Sequence, residues 1–407
     1  MEYLEALEKL TADGQEHLLM FYNELSPQGK RALLDQIDKL DISGINDLIS
    51  RKYTVKVKDL CPCDTLSVNE NEKRKACAQA GKEALVKGRM GIVILSGGQG
   101  SRLGYNHAKG MYNIGLEKTI TIFELHMRRL LRFRDEEGVC LHCFIMTSLQ
   151  NNEEIRQFFE DNEYFGYDKN YIHFYIQGSN ITVDKDYSPM LSDKGTICCS
   201  PNGNGRFYID LITAGYKELL DEKGIEWLNV VSVDNVLQNF IDPAFLGAVI
   251  ESDAGCGAKV VKKARADERI GVICINDGHP DVLEYYEMPD DLKGAIDTNG
   301  ELLYSYGVIL NYIFKVTELD SVDYDKLPVH IANKKVSYVD SSGIIVTPSE
   351  ENALKFEYLL TDLISHVSSC VSFEVEREKE FAPIKNLVGI DSVESARSLL
   401  IKNNYEL

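Results

Sequence analysis

The chain has 407 residues, 44% of them hydrophobic and 27% charged, so it is long enough for one large α/β core with a smaller attached domain. Its formal net charge of −20 argues against nucleic acid or an anionic membrane surface as a partner. No segment reaches the apolar length of a membrane span and the first residues lack a signal-peptide pattern, so we expect a cytosolic protein. The ten cysteines lack metal-ligand spacing and are interpreted as free thiols.

The N-terminal part of the chain is expected to be helical. Apolar residues at helical spacing predict two or three amphipathic helices over residues 1 to about 50, followed by a loop-rich connector. We therefore expect a helical cap and connector over residues 1–75. A catalytic domain is expected over 76–386, and a short C-terminal helix over 387–407.

From residue 76 the chain alternates between helix and strand patterns. Apolar runs predict buried strands at 91–95, 139–146, 171–176 and 227–233. Helical periodicity predicts helices at 122–134 and 153–162, and a later one over about 349–365. This alternation is typical of the α/β class, in which helices cover both faces of a mostly parallel sheet.

A glycine-rich loop follows the first predicted strand of the sheet. Its sequence is Leu95-Ser96-Gly97-Gly98-Gln99-Gly100-Ser101-Arg102-Leu103-Gly104. Glycines let backbone N–H groups approach an anion, and the cations Arg102 and Lys109 neutralise charge that the backbone cannot. The loop therefore predicts a polyphosphate site.

Two familiar phosphate-binding loops do not fit this pattern. A Walker loop ends in Gly-Lys-Ser or Gly-Lys-Thr, which Gly100-Ser101-Arg102 does not supply. A dinucleotide fingerprint requires G-x-G-x-x-G, and Gly98, Gly100 and Gly104 are spaced one residue too long. A dehydrogenase is therefore disfavoured.

The loop resembles the signature of nucleotide-sugar pyrophosphorylases, L-x-x-G-G-x-G-[ST]-R-[LM]-G followed by P-K-G-M. Within that superfamily the chain is most similar to eukaryotic UDP-N-acetylglucosamine pyrophosphorylases, from Leu95 to Asn386. The resemblance implies a Rossmann-like sheet of the nucleotidyltransferase type. His107 and Ala108 stand where the family has Tyr-Pro, which predicts a looser loop. The chain stops soon after Asn386, so we expect most of the family's C-terminal β domain to be missing.

The resemblance also assigns roles to residues that match the family's motifs. The residues expected to act in catalysis are Arg102, Lys109 and Lys385. The residues expected to bind the nucleotide are Leu95, Gly97, Gly98, Gln177, Gly203 and Lys355. The residues expected to bind the sugar are Asn204, Gly271, Glu284, Tyr285 and Asn311.

One carboxylate is expected to hold a metal ion. Asp234 follows a buried strand and matches the family's V-D-N motif. Mg²⁺ is typically held by one or two carboxylates, with substrate phosphates and water completing its octahedron. A single strand-end aspartate beside a triphosphate therefore predicts a magnesium site.

The resemblance implies a uridylyltransferase that forms UDP-N-acetylglucosamine and pyrophosphate from UTP and N-acetylglucosamine 1-phosphate. We expect it to act as a monomer. Two alternatives stay open: a pyrophosphorylase for UDP-glucose, UDP-galactose or several sugars, and a catalytically inactive regulator that binds nucleotide sugars. The retention of a metal carboxylate together with the cations argues against the regulator.

The sugar-facing motif departs from the family pattern. Family members carry F-x-F shortly after the lysine matched by Lys355, whereas this chain has Leu359 and Thr361 at those positions. In the family the two rings lie near the N-acetyl group. A methyl-sized contact contributes only about 1–3 kcal/mol, so we expect modest discrimination between sugars.

Overall fold

The structure, a computed structural model, describes residues 1–407. The helices are α1 (Tyr3–Ala12), α2 (Pro27–Lys39), α3 (Ile42–Ser50), α4 (Asn71–Val86), α5 (Ile122–Glu137), α6 (Asn152–Asp161), α7 (Phe207–Thr213), α8 (Lys217–Lys223), α9 (Pro243–Glu251), α10 (Asp290–Lys293), α11 (Val316–Ser321), α12 (Arg377–Glu380) and α13 (Val393–Lys402). None of them combines the length and apolar character needed to span a membrane.

The strands are β1 (Cys61–Pro62), β2 (Thr65–Leu66), β3 (Met90–Leu95), β4 (Cys143–Thr147), β5 (Ile172–Ile176), β6 (Ser179–Ile181), β7 (Val183–Asp184), β8 (Leu191–Asp193), β9 (Thr196–Ile197), β10 (Cys199–Pro201), β11 (Trp227–Ser232), β12 (Cys256–Lys262), β13 (Val272–Asn276), β14 (His279–Leu283), β15 (Tyr306–Lys315), β16 (His330–Lys334), β17 (Tyr338–Val339), β18 (Ile345–Val346), β19 (Ala353–Glu357) and β20 (Cys370–Glu374).

The chain divides into two compact units, each built from three separate segments. The first unit comprises Met1–Thr54, Gly178–Arg206 and Asp323–Leu360. The second unit comprises Val55–Gln177, Phe207–Val322 and Thr361–Leu407. The domain boundaries that we placed at residues 75 and 386 do not follow this division.

The first unit contains the predicted N-terminal helices and four small groups of antiparallel strands. The buried faces of α1 and α2 share a core with β8 and β9. The strands pair as β16–β19–β7, β6–β10, β8–β9 and β17–β18. The helix predicted over 349–365 is wrong, because β19 occupies residues 353–357. It pairs with β16 along its whole length, and this tertiary pairing overrides the local periodicity.

The second unit is built on a mostly parallel sheet, as predicted. Its main strand order is β2-β20-β12-β15-β11-β3-β4-β5, and β13 adds β1 and β14 beside β15. Along that main order β15 is the antiparallel strand, since it runs against both β11 and β12. The predicted strands correspond to β3, β4, β5 and β11, and the predicted helices to α5 and α6. Every residue of β3 is buried, as its continuous apolar run indicates.

The carboxyl ends of four parallel strands define one edge of this sheet. β3 lies between β4 and β11, and all three run in the same direction. The chain leaves β3 toward β4 and β5 on one side and later returns to β11 on the other. The strand order therefore reverses at β3, and ligands of open α/β sheets bind outside the carboxyl ends of the strands at such a point.

The C-terminal residues form the predicted short helix. α13 begins at Val393 with the Ser392 hydroxyl accepting a hydrogen bond from the Ser395 amide, and its buried residues join the core of the second unit. The structure does not support the expected loss of a C-terminal β domain.

Candidate active site

The glycine-rich loop leaves β3 at the edge of the sheet and folds back on itself. The Gly100 amide donates to the His107 carbonyl at 2.9 Å, and the Lys109 amide donates to the Gly98 carbonyl at 3.2 Å. Gly104 has φ of +62°, in the left-handed region that favours glycine. The loop therefore presents backbone groups beside the strand end and returns Lys109 to the start of the loop.

Gly97 packs directly against Gln177. A Cβ on Gly97 would lie 2.1 Å from Gln177 Nε2, so a larger residue would force the glutamine to move. Gln177 is buried at the end of β5, and its backbone amide donates to the Thr147 carbonyl at 2.8 Å. A Cβ on Gly98, in contrast, would meet no atom within 4 Å. The structure thus brings together the predicted nucleotide-binding residues of the second unit, with Leu95 at the end of β3.

Lys109 and Asp234 face each other across the strand ends. The Lys109 ammonium lies 3.3 Å from Asp234 Oδ2, and each side chain is less than one-fifth exposed. The Ser232 hydroxyl donates to Asp234 Oδ1 at 2.6 Å and so orients the carboxylate. The predicted polyphosphate lysine and the predicted metal ligand therefore occupy one site.

The single carboxylate of Asp234 is suited to a metal ion that phosphate oxygens of a bound substrate would also coordinate. The chain has no group of three or more His, Cys, Asp or Glu side chains placed to hold a metal by themselves. Mg²⁺ suits such a site, because it keeps several waters and binds through one or two carboxylates plus substrate phosphates. A cage made entirely of protein ligands is therefore not required.

The segment that carries Lys385 is hydrogen-bonded to the loop that carries Asp234. The Ile384 amide donates to the Asp234 carbonyl at 2.9 Å, and the Ala382 amide donates to Asn235 Oδ1 at 2.9 Å. The Lys385 ammonium lies 3.0 Å from Asp391 Oδ2 and is partly exposed. Asp234 and Lys385, which are 151 positions apart in the sequence, thus lie on two segments that are bonded to each other.

A cleft of about 810 Å³ opens beside Asp234 in the second unit. It is lined by four predicted residues, Asp234, Gly271, Glu284 and Lys385. A Cβ on Gly271 would lie 3.3 Å from Glu284 Oε1, so the glycine leaves room for the carboxylate. The cleft also contains cations that the sequence analysis missed, Arg265, Arg269 and Arg377. Two of them belong to the charged segment 265–269, Arg-Ala-Asp-Glu-Arg, and this cluster of charges was the available signal.

Besides the loop residues described above, three more predicted residues of the second unit lie outside this cleft. Arg102 is exposed and makes no ion pair. Tyr285 is 38% exposed, with the Arg269 guanidinium 5.8 Å from the centre of its ring. Asn311 is fully buried on β15, where it accepts from Asn229 Nδ2 at 2.9 Å and donates to the Asn239 carbonyl at 3.2 Å. Its amide is engaged inside the core.

The remaining predicted residues lie in the first unit. Gly203 has φ of +89°, and a Cβ there would lie 2.3 Å from the Tyr358 carbonyl oxygen. Asn204 Oδ1 accepts a hydrogen bond from the Leu360 amide at 2.9 Å. Lys355 is half-buried on β19. The turn at Gly203 therefore requires glycine, both for its conformation and for close backbone contact.

Glu154 on α6 is a loop-supporting residue that the sequence analysis missed. The Ala108 amide donates to Glu154 Oε2 at 3.2 Å, and the His107 ring hydrogen-bonds to the other carboxylate oxygen. A proline at position 108 has no N–H and could not make the first of these bonds. The carboxylate therefore holds the segment just before Lys109 by a bond that the family's proline could not make.

We expect Glu154→Ala to raise the KM for UTP about tenfold with a smaller change in kcat. Hydrogen bonds to a charged group contribute about 1.5–3 kcal/mol, and their loss frees the loop before Lys109. Steady-state kinetics check this. Glu160→Ala, which removes an exposed carboxylate from the same helix, is the matched control. An unchanged KM in Glu154→Ala would contradict the role.

Comparison with known proteins agrees with this geometry. A mouse protein named UDP-N-acetylhexosamine pyrophosphorylase-like protein 1 is 31% identical over 98% of this chain and 83% of its own length. The Saccharomyces cerevisiae UDP-N-acetylglucosamine pyrophosphorylase is 32% identical over 97% of this chain and 86% of its own. The crystal structure of the Trypanosoma brucei UDP-N-acetylglucosamine pyrophosphorylase with an inhibitor superimposes with a TM-score of 0.80 at 26% identity, covering 97% of this chain and 84% of that one.

The family model described as UTP–glucose-1-phosphate uridylyltransferase matches residues 38–404, which include every residue of the candidate site. The chain belongs to this uridylyltransferase family.

Proposed function

We propose that the protein forms UDP-N-acetylglucosamine and pyrophosphate from UTP and N-acetylglucosamine 1-phosphate, with Mg²⁺ as its metal. The observation that carries the proposal is the pairing of Lys109 with Asp234 at the carboxyl edge of the sheet, beside the segment of Lys385. The name of the yeast relative supports N-acetylglucosamine as the sugar, and the name of the mouse relative supports an N-acetylhexosamine. The protein is proposed to act as a monomer.

The reaction requires positioning and charge neutralisation rather than a general base. The sugar phosphate is already ionised near neutral pH, and one of its oxygens attacks the α-phosphorus of UTP. The bond between the α-phosphorus and the bridging oxygen breaks, and pyrophosphate leaves in line with the attack. Arg102 and Lys109 hold the β- and γ-phosphates, and Lys385 adds positive charge at the reacting phosphates.

Asp234 is the residue that would hold the metal ion. When bound, Mg²⁺ neutralises charge on the phosphates that meet at the reaction centre. The Ser232 hydroxyl holds Asp234 Oδ1, which leaves Oδ2, the oxygen that faces Lys109, for the metal ion. The Lys109 ammonium then pairs with phosphate oxygens in place of the carboxylate.

The nucleotide and the sugar are proposed to contact the remaining matched residues. The proposed nucleotide contacts are Leu95, Gly97, Gly98, Gln177, Gly203 and Lys355. The proposed sugar contacts are Asn204, Gly271, Glu284 and Tyr285. Asn311 is proposed to affect sugar binding indirectly, because it holds Asn229 and the Asn239 carbonyl in place by hydrogen bonds.

The sugar assignment is tested with a panel of sugar 1-phosphates. We expect the highest kcat/KM with N-acetylglucosamine 1-phosphate. N-acetylgalactosamine 1-phosphate and glucose 1-phosphate should be accepted more readily than by relatives with both rings of the F-x-F motif. Thr361, which lines the cleft, supplies less apolar surface than a ring at that position. A clear preference for glucose 1-phosphate would move the assignment to UDP-glucose formation.

Lys109→Ala tests the placement of the polyphosphate. The variant should raise the KM for UTP and lower kcat far more than it weakens sugar 1-phosphate binding, because Lys109 faces Asp234 and the phosphate loop. Lys118→Ala, which removes an exposed lysine whose ammonium lies 3.8 Å from Glu406 Oε2, is the control. It should leave the KM for UTP and kcat near their original values. If Lys109→Ala weakened only the binding of the sugar 1-phosphate, the loop would hold the sugar 1-phosphate rather than UTP.

A further inference from the structure

A second cleft, of about 510 Å³, lies in the second unit and shares no lining residue with the cleft beside Asp234. Four of its lining residues come from one face of α5, namely Arg129, Arg132, Phe133 and Glu136. Their spacing of three, four and seven residues places them on one side of the helix. The other walls come from the chain after β11, from α12 and from the C-terminal residues, including Leu237, Lys379 and Tyr405.

Arg129 is a buried cation without a carboxylate partner. It is 8% exposed and donates to the Leu125 carbonyl at 3.1 Å, to His126 Nδ1 at 3.4 Å, to the Val236 carbonyl, and to the Tyr405 hydroxyl at 3.2 Å. These acceptors are neutral. Burial lowers the pKa of the Arg129 guanidinium and Arg132 lowers it further, whereas Tyr405 and the carboxylate of Glu380, which pairs with Lys259, act in the opposite direction. A buried charge is normally paired, so the missing negative charge is expected from a ligand.

The rest of the cleft is also positively charged. Arg132 is exposed and makes no hydrogen bond or ion pair, not even with Glu136 one turn further along α5. Lys379 adds a third cation, with Glu376 as its partner at 2.7 Å. Glu136 is the carboxylate among the lining residues. In a chain of net charge −20, this local excess of positive charge favours an anionic ligand.

We propose that this cleft binds a phosphate monoester or inorganic phosphate. Guanidinium groups donate paired, parallel hydrogen bonds to phosphate oxygens, and the exposed Arg132 offers such a group in this cleft. The buried Arg129, whose N–H groups are mostly engaged, adds positive charge beside it. The rings of Phe133 and Tyr405 offer apolar walls to the organic part of an ester. The volume of the cleft suits a small metabolite rather than a macromolecule.

The same helix connects this cleft to the loop of Asp234. Burial lowers the pKa of His126 to about 3, so its ring is neutral. The His126 Nε2 hydrogen donates to the Val233 carbonyl at 2.8 Å, and Arg129 donates to the Val236 carbonyl. These bonds support the loop on both sides of Asp234. An anion that fixes Arg129 is therefore expected to order the loop and to strengthen binding at the active site.

Isothermal titration with glycerol 2-phosphate and with inorganic phosphate tests the binding site. We expect one saturable site whose Kd rises at least tenfold in Arg132→Gln. Two variants with the same charge change are controls: Arg128→Gln, on α5 but paired with Glu124 outside the cleft, and Arg102→Gln, in the glycine-rich loop. Both should bind as the unchanged protein does. Equal binding by Arg132→Gln, or lost binding in Arg102→Gln, would overturn the proposal.

The two probes distinguish the source of the phosphate group. Tighter binding of the ester assigns the cleft to an organic phosphate, whereas equal binding assigns it to inorganic phosphate. The link to Asp234 is tested by the KM for UTP at a glycerol 2-phosphate concentration that saturates the unchanged protein but not Arg132→Gln. This KM should be about fivefold lower in the unchanged protein than in the variant. The difference should vanish without glycerol 2-phosphate, and equal KM values at the chosen concentration would overturn the link.

Discussion

Asp234→Asn is expected to lower kcat by ~10²-fold or more, the effect seen when a main electrostatic stabiliser of a transition state is removed. The asparagine keeps the shape of the side chain and its contact with the Ser232 hydroxyl, but it loses the charge that would hold the metal ion. Turnover is measured over a range of Mg²⁺ concentrations. The concentration for half-maximal activity should rise together with the fall in kcat.

Asp267→Asn is the matched control for this change. Asp267 lines the same cleft, but its carboxylate pairs with Arg265 at 2.9 Å and does not lie at a strand end. We expect a far smaller effect from it. A second readout is the binding of Mn²⁺ in the presence of UTP, followed by paramagnetic resonance. Near-normal activity and metal binding in Asp234→Asn would show that another residue holds the metal.

Lys259→Met is expected to lower the free energy of unfolding by about 3–5 kcal/mol. Lys259 is fully buried on β12, and its ammonium lies 2.8 Å from Asp242 Oδ2, 2.7 Å from Glu380 Oε2 and 2.8 Å from the Asn239 carbonyl oxygen. Burial alone would lower its pKa, but the two carboxylates outweigh burial and raise it. Without the lysine, two buried carboxylates would lose the cation that they share.

Urea unfolding followed by circular dichroism measures this loss. Lys262→Met is the control, because Lys262 lies on the same strand with a side chain that is 55% exposed. The control should change the unfolding free energy by less than about 0.5 kcal/mol. A loss below about 1 kcal/mol in Lys259→Met would mean that the three groups are not coupled as the geometry indicates.

The sheet of the second unit could be predicted because its strands are buried on both faces. Such strands appear in the sequence as continuous apolar runs, and β3 and β11 were found within one residue of each end in this way. The run that predicted a strand over 139–146 extended too far, since β4 begins at Cys143. Residues 139–142 are apolar enough for a strand, but they approach the sheet as a loop.

The parts of the site that escaped prediction depend on distant contacts. Glu154 is separated by 46 residues from the Ala108 amide that it accepts from, and nothing in its own segment marks it. Asn311 matched a motif, yet its contacts with Asn229 and Asn239 depend on the register between β15 and β11. A motif identifies a residue type and a position, whereas the direction of a side chain follows from pairing across the sheet.

The interleaving of the two units has a consequence for synthesis on the ribosome. The chain passes between the units at residues 54, 177, 206, 322 and 360. The apolar faces of α1 and α2 pack against β8 and β9, which are made some 150 residues later at about 5–20 residues per second. For roughly 10–30 seconds these faces lack their partners in the core, so we expect chaperones that bind nascent chains to act on this segment.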